Sequence, residues 1–276
     1  MNKKLLTVLF ALVISGMAFG QSFKDIYEKS IEDNKKVALP YLREADIKWS
    51  KKIWRIIDLR EKMNQPLYYP TRAMADGRTN LMGILLAEIK AGNLNAFDIA
   101  DMNVNVTYAD IEKRLEAGPK EVPQLNLDGE VIGTTMIDIP VEDKLIDVKQ
   151  IMVYEEWFFD KKHSTLGVRI IGLMPISIAM NDQTGRLGKT RLFWIRYDDF
   201  RDAFAKQEVF NAFNDAQRMS FDDLFMQRRF TSTIVAESNV FDDRAIVDYM
   251  VGKDVMFEAE MIKNRLQTFE HDLWEY

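Results

Sequence analysis

The strongest periodic signal lies at the carboxyl end, where Val255, Ala259, Ile262, Leu266, Phe269 and Leu273 are separated alternately by four and three residues. That stripe predicts an amphipathic helix with a heptad-like apolar face, docked on its own domain or coiled against a partner. A second helix is predicted from Thr79 through Leu81, Ile84, Leu85 and Ile89, with Gly92 as its left-handed cap. Thr107 and Asp110 form a capping-box-like start to a third, through Ile111 and Leu115, which Gly118-Pro119 ends. Trp49, Ile53, Ile56, Ile57 and Met63 stand at near-helical spacing among Lys48, Lys51, Lys52, Arg55, Arg60 and Lys62, which predicts helix within 46–64. Pro66 and Pro70 then bracket Leu67-Tyr68-Tyr69 as an extended aromatic segment.

From Val122 to Asp160 the texture turns to β: Asp128-Gly129 signals a turn, and Val148, Ile151, Val153 and Trp157 populate extended runs. Leu166 to Met180 and Arg191 to Tyr197 continue the sheet across a hairpin loop at 181–188. The remainder reads as helical. Tyr197-Asp198-Asp199, Phe221-Asp222-Asp223 and Phe241-Asp242-Asp243 each set carboxylates where a helix N-terminus stabilises them. Near the amino end, Ser22 can cap a helix carrying Phe23, Ile26, Tyr27 and Ile31 on one face, which makes 21–45 an N-terminal helical arm. No linker or repeat divides 46–276, so it reads as a single α+β domain: a central antiparallel sheet flanked by helices, with a helix-rich C-terminal part.

The first twenty residues fall outside that picture. Lys3 and Lys4 precede the apolar run Leu5 to Ile14, and Ala18 and Gly20 suit the small positions before a cut, so 1–20 reads as a secretory signal peptide. Cleavage after Gly20 removes two lysines and no acid, taking the formal net charge from −6 to −8. A net-acidic exported chain argues against nucleic acid as partner. Beyond the leader, no apolar run approaches the roughly 18 residues of a membrane span.

Candidate chemistry is sparse. The chain has no cysteine, which excludes thiol nucleophiles, thiolate metal sites, disulfides and a lipidated cysteine. His163 and His271 are its only histidines and neither has an acidic or histidine neighbour at metal-ligand spacing; no cofactor or metal is expected. Gly188-Lys189-Thr190 resembles the end of a phosphate loop, but Gln183 stands where its first glycine belongs. The aspartate pairs lack the spacing of a calcium loop and read as helix caps. The best enzymatic case is Glu155-Glu156 among Tyr154, Trp157, Phe158 and Phe159, as in a sugar-binding cleft. Adjacent strand residues point to opposite faces, so the two cannot serve one bond; an edge strand with its polar residues in water is the plainer reading. What remains is surface for partners: Trp49, Trp54, Tyr68, Tyr69, Trp157 and Trp274, with Arg55 and Arg60, are the residue types that concentrate in interface hot spots, or that fill a core.

The run Asp46-Ile47-Lys48-Trp49-Ser50-Lys51-Lys52-Ile53-Trp54-Arg55 through Tyr68-Tyr69-Pro70 resembles the GldN family, also called PorN, of the type IX secretion system in Bacteroidetes. Trp157-Phe158-Phe159-Asp160, Met174-Pro175, Phe221-Asp222-Asp223-Leu224-Phe225 and Arg228-Arg229-Phe230 extend the resemblance over nearly the whole mature chain. It implies a non-enzymatic periplasmic subunit that forms rings with an outer-membrane lipoprotein, GldK or PorK, beneath the outer membrane. It also implies contact with the motor protein GldM or PorM, which works with GldL. On that reading Trp49, Trp54, Arg55, Arg60, Tyr68 and Tyr69 are tentative partner-binding residues. The alternative is a periplasmic carbohydrate-active enzyme or sugar-binding module using Glu155 or Glu156.

Overall fold

A computed structural model describes residues 34–273 except 75–76, 126–130, 181–186, 212–213 and 215–217, and only the backbone of 120–125, 131–133 and 135. The leader, the amphipathic stretch 22–33, the Asp128-Gly129 turn, most of the 181–188 loop and Trp274 therefore lie outside the described residues. Residues 34–43 carry no regular secondary structure and lead into a single 3-10 turn, Glu44–Asp46.

The first correction is the element that follows. Residues Ile47–Asp58 form a strand, β1, and not a helix. Burial alternates along it, with Ile53, Arg55 and Ile57 all inward. The apolar spacing of this run fits period 3.6 only if Arg55 is counted as a surface residue; with Arg55 inside, the period is 2. Next comes a one-turn helix, α1 (Gln65–Tyr68), where an extended segment was expected. Pro66 sits in its first turn, where a missing N–H costs nothing. The backbone does become extended at Tyr69, before a cis Tyr69-Pro70 bond.

The helix expected from Thr79 is α2 (Leu81–Lys90), capped by the Asn80 side chain accepting from the Gly83 N–H at 2.7 Å and followed by Gly92 at φ +72°. A small hairpin of β2 (Ala96–Phe97) and β3 (Asn105–Val106) precedes α3 (Tyr108–Arg114), whose N-cap is Thr107 as expected. Then β4 (Gly118–Leu125) and β5 (Val131–Ile139) pair antiparallel, and α4 (Val141–Lys144) leads to β6 (Val148–Asp160) and β7 (Thr165–Met180). The register Met180↔Leu187 makes β8 (Leu187–Arg191) the return strand of a hairpin, and β9 (Ile195–Arg196) also pairs with β7.

The C-terminal part is helix-rich but not wholly helical. After α5 (Tyr197–Ala205) come the short pair β10 (Glu208–Val209) and β11 (Met219–Ser220), then α6 (Phe221–Met226), β12 (Thr233–Glu237) and α7 (Asp254–Asp272). Phe241-Asp242-Asp243 starts no helix: Asp242 and Asp243 both stand at φ +55° in a turn, and the Asp243 carboxylate accepts from the Asn239 N–H.

The main sheet runs β12-β1-β6-β7-β8, every pairing antiparallel, so the fold is α+β with helices against a central sheet. One face carries two apolar clusters. Toward one end, Ile57, Ile151, Val153 and Leu173 pack with α2, α5 and α6, where Phe200, Phe204, Phe221 and Phe225 are fully buried. Toward the other, Ile53 and Ile234 pack against Ala259, Ile262 and Leu266 of α7, with the Trp49 ring tilted against that of Phe269 at 4.7 Å. On the opposite face, Trp54 and Tyr154 stack at 5.0 Å beside Met174, Trp194 and Phe97.

Candidate partner interface

Between the two clusters on the helical face lies a set of charges drawn from three elements. In β1, Arg55 follows Ile53 on the inward parity; in β6, Glu155 stands opposite Ile53 in the register. The third, Arg228, follows α6 at φ +53°, a left-handed turn that ends the helix and brings its guanidinium back over the sheet. Glu155 has 0% exposure. Its Oε2 accepts from Arg55 Nε at 3.1 Å and from the Trp157 indole N–H at 3.0 Å, and its Oε1 accepts from Arg228 Nη2 at 2.8 Å. Both guanidiniums lie 5.6 Å from the Trp157 ring, which shields them on one side. Burial lowers the Arg55 pKa from its ordinary value, with Glu155 opposing and Arg228 reinforcing that shift.

This arrangement corrects the edge-strand reading of Glu155-Glu156. Strand β6 is central, and Glu155 is a buried counter-ion for two arginines. Glu156 is half-buried on the other face, between Lys52 and Arg169 in the neighbouring strands. The two carboxylates flank no common space, as the strand parity requires. The signal that could have revealed the cluster was Arg55 itself, a charge on the inward phase of an Ile-rich strand.

A second buried charge pair lies under α6. Asp222 accepts from Arg201 Nε at 3.0 Å and from the Tyr197 hydroxyl at 2.9 Å, while Arg201 also donates to the Val37 carbonyl at 2.6 Å. Burial, with Asp222 alongside, pushes the Tyr197 hydroxyl well above its ordinary pKa. Of the Phe221-Asp222-Asp223 run only Asp223 caps, in a reciprocal box with Ser220.

The other aromatic and arginine candidates divide by exposure. Trp49 and Trp54 are half-buried in the two aromatic pairs above. Arg60 is exposed and folds back on Asp58, whose carboxyl its guanidinium holds far below the usual range. Tyr68 is half-buried, its hydroxyl donating to the Ile146 carbonyl at 3.0 Å, whereas Tyr69 is 54% exposed and meets the Tyr68 ring edge-on. Of the six tentative residues, then, Arg60 and Tyr69 offer the most surface. A groove of about 300 Å³ lies between Tyr41 and Phe158, with His163 hydrogen-bonded to Asp160 at its side and holding that carboxyl below its usual range. Among the described residues no cluster of His, Asp or Glu could hold a metal ion, and no helix is long and apolar enough to cross a membrane.

Exposed apolar residues lie outside the candidates read from the sequence. Phe257 and Met261 stand on the side of α7 opposite its buried stripe, Met256 flanks the stripe, and Val240, Phe241 and Val251 precede the helix, all of them exposed. Met136 and Ile137 of β5 are exposed on consecutive positions, hence on both faces of the β4–β5 ribbon. Exposed apolar groups in such numbers are a feature of interaction surfaces. Comparison with curated proteins gives no match. A family model described as gliding motility associated protein GldN matches residues 42–275, most of the chain.

Proposed function

Because the chain belongs to the GldN family of gliding motility associated proteins, we propose that it is a non-enzymatic structural subunit of the type IX secretion and gliding machinery. In this reading it resides in the periplasm against the inner face of the outer membrane, after removal of residues 1–20. There it forms a ring with the lipoprotein GldK or PorK and links that ring to the motor formed by GldL and GldM. The family match over 42–275 carries the reading. Two features agree with it. Glu155, Arg55, Arg201 and Asp222, four of the buried ionisable groups, are taken up in structural pairs, and the buried Asp160 is hydrogen-bonded to His163. Apolar side chains stand exposed at β5 and α7, as an assembling subunit requires.

The carbohydrate-active alternative loses its first residue, since Glu155 has no exposed surface for a substrate and its oxygens are already held by three donors. Gentle extraction from the organism's own envelopes, followed by sizing and identification of co-purifying chains by mass spectrometry, tests the proposal. A large particle containing an outer-membrane lipoprotein is expected. A partnerless species no heavier than the 32.1 kDa chain, under several extraction conditions, overturns it.

A further inference from the structure

The β4–β5 ribbon is a two-stranded sheet that pairs with no other described strand. Two strands alone are marginally stable in water, and here neither face is covered at Met136 and Ile137, which are 61% and 46% exposed. Its two outer edges are unequal. Pro119 and Pro123 of β4 stand opposite Asp138 and Thr134 in an unbroken register. Having no N–H, a proline cannot exchange bonds across the ladder, so 119, 121 and 123 are the residues whose backbone points outward, and two of those three lack a donor. The outer edge of β4 is thereby blunted.

By the same register, Thr134, Met136 and Asp138 of β5 direct their N–H and C=O groups outward, and all three side chains are exposed. This edge has no proline until Pro140. It is an open template for another strand.

The main sheet has an edge of matching character in β8, whose five residues are all exposed and which, among the described residues, is paired with β7 alone. The charges of the two edges are opposite. Residues 131–144 hold Asp138, Glu142 and Asp143 against Lys144, whereas 187–191 hold Lys189 and Arg191 with no acid. Among the described residues, Asp138, Glu142, Lys189 and Arg191 make no salt bridge that would satisfy them within the chain.

We propose that the outer edge of β5 in one subunit pairs with the β8 edge of a second copy of this chain. The contact joins two different surfaces, so it is head-to-tail and propagates into a closed ring or a filament. This rests on the ring reading given above, and identifies the strands that make the subunit–subunit contact.

The chain has no cysteine, which allows a clean test on the full-length protein. With Asp138 of one copy opposite Lys189 of the next in an antiparallel pair, Ile137 faces Thr190; one preparation therefore carries Ile137→Cys and another Thr190→Cys, and each is oxidised alone and after mixing. Cross-linked dimer in the mixture, with little in either preparation alone, is expected. Met136→Pro removes an outward N–H without touching the bonds to β4, and weakens self-association about tenfold, the equivalent of one or two hydrogen bonds, at unchanged thermal stability. Asp138→Lys weakens it as well, and Lys189→Asp in the same chain restores part of the loss.

Assembly into a large particle without a cross-link between the two variants overturns the β5–β8 contact and leaves the ring reading intact. Dimers within the Ile137→Cys preparation alone overturn it in favour of β5–β5 pairing. A full-length chain that remains monomeric both alone and with its co-purifying partners overturns both.

Discussion

Glu155 is the residue on which the interior depends most, because among the described residues its carboxylate is the counter-charge that separates the buried Arg55 guanidinium from the partly buried one of Arg228. Glu155→Ala brings Arg55 and Arg228 together without a counter-charge at the Trp157 ring, and is expected to cost about 3–5 kcal/mol, as when one partner of a buried ion pair is removed. Arg228→Ala leaves the Arg55 pair in place and costs about 1–2 kcal/mol. Denaturant midpoints of the two variants check the order; equal losses would contradict it. Asp58 makes a different prediction. Arg60 holds its folded pKa far below the unfolded value of about 3.9, so its contribution is complete above that value and is lost as pH falls through the folded one. Asp58→Asn is therefore less stable than the parent at pH 7, and the gap in urea unfolding should begin to narrow below about pH 4 and close only as pH falls through the folded value. A gap that persists in acid would assign the effect to packing. Legibility at this scale followed polarity: Asp223, and Thr107 with Asp110, were readable as helix-start residues, whereas Arg55, Glu155 and Asp222 are charges placed inside and run against any polarity pattern.

Among the elements, α7 was legible because its apolar stripe has one buried side and nothing contradicts its period. Strand β1 was misread as helix for a single reason, the inward arginine, and β12 was missed because its five residues are too short a run to outweigh the helical signals around them. The two sides of α7 give a direct check on its orientation. Ile262→Ala, at 0% exposure, is expected to cost about 2–5 kcal/mol. Phe257→Ser, at 67% exposure, should change the unfolding free energy by no more than about 0.5 kcal/mol. Comparable losses at both positions would require a different face of the helix to be buried.

For the whole molecule, α+β architecture with a central antiparallel sheet was readable from the order of textures, but the strand neighbours were not, since β1 finds its partners about a hundred and nearly two hundred residues away. Of the interface candidates, the sequence pointed to residue types and could not say which of them the core would take. Exposure now separates Tyr69 from Tyr68. Tyr69→Ala is expected to leave the fold intact and, if this segment meets a partner, to reduce the yield of the lipoprotein-containing particle severalfold; Tyr68→Ala should lower stability first, through its packing and its bond to Ile146. Unchanged particle yield with Tyr69→Ala removes the segment from the interface.

The charged seam between the two apolar clusters also divides the molecule in time. The α7 cluster meets the rest of the helical face across Arg55, Glu155 and Arg228, and among the described residues its buried apolar side chains form a cluster separate from the phenylalanine-lined one. Such a boundary permits sub-global opening, in which α7 lifts from β1 and β12 while β6, β7 and the phenylalanine-lined cluster stay closed. Native-state amide exchange should then show α7 protected by a smaller free energy than β6 and β7, and Glu155→Ala should widen that difference; uniform protection throughout would mean that the two halves open only together.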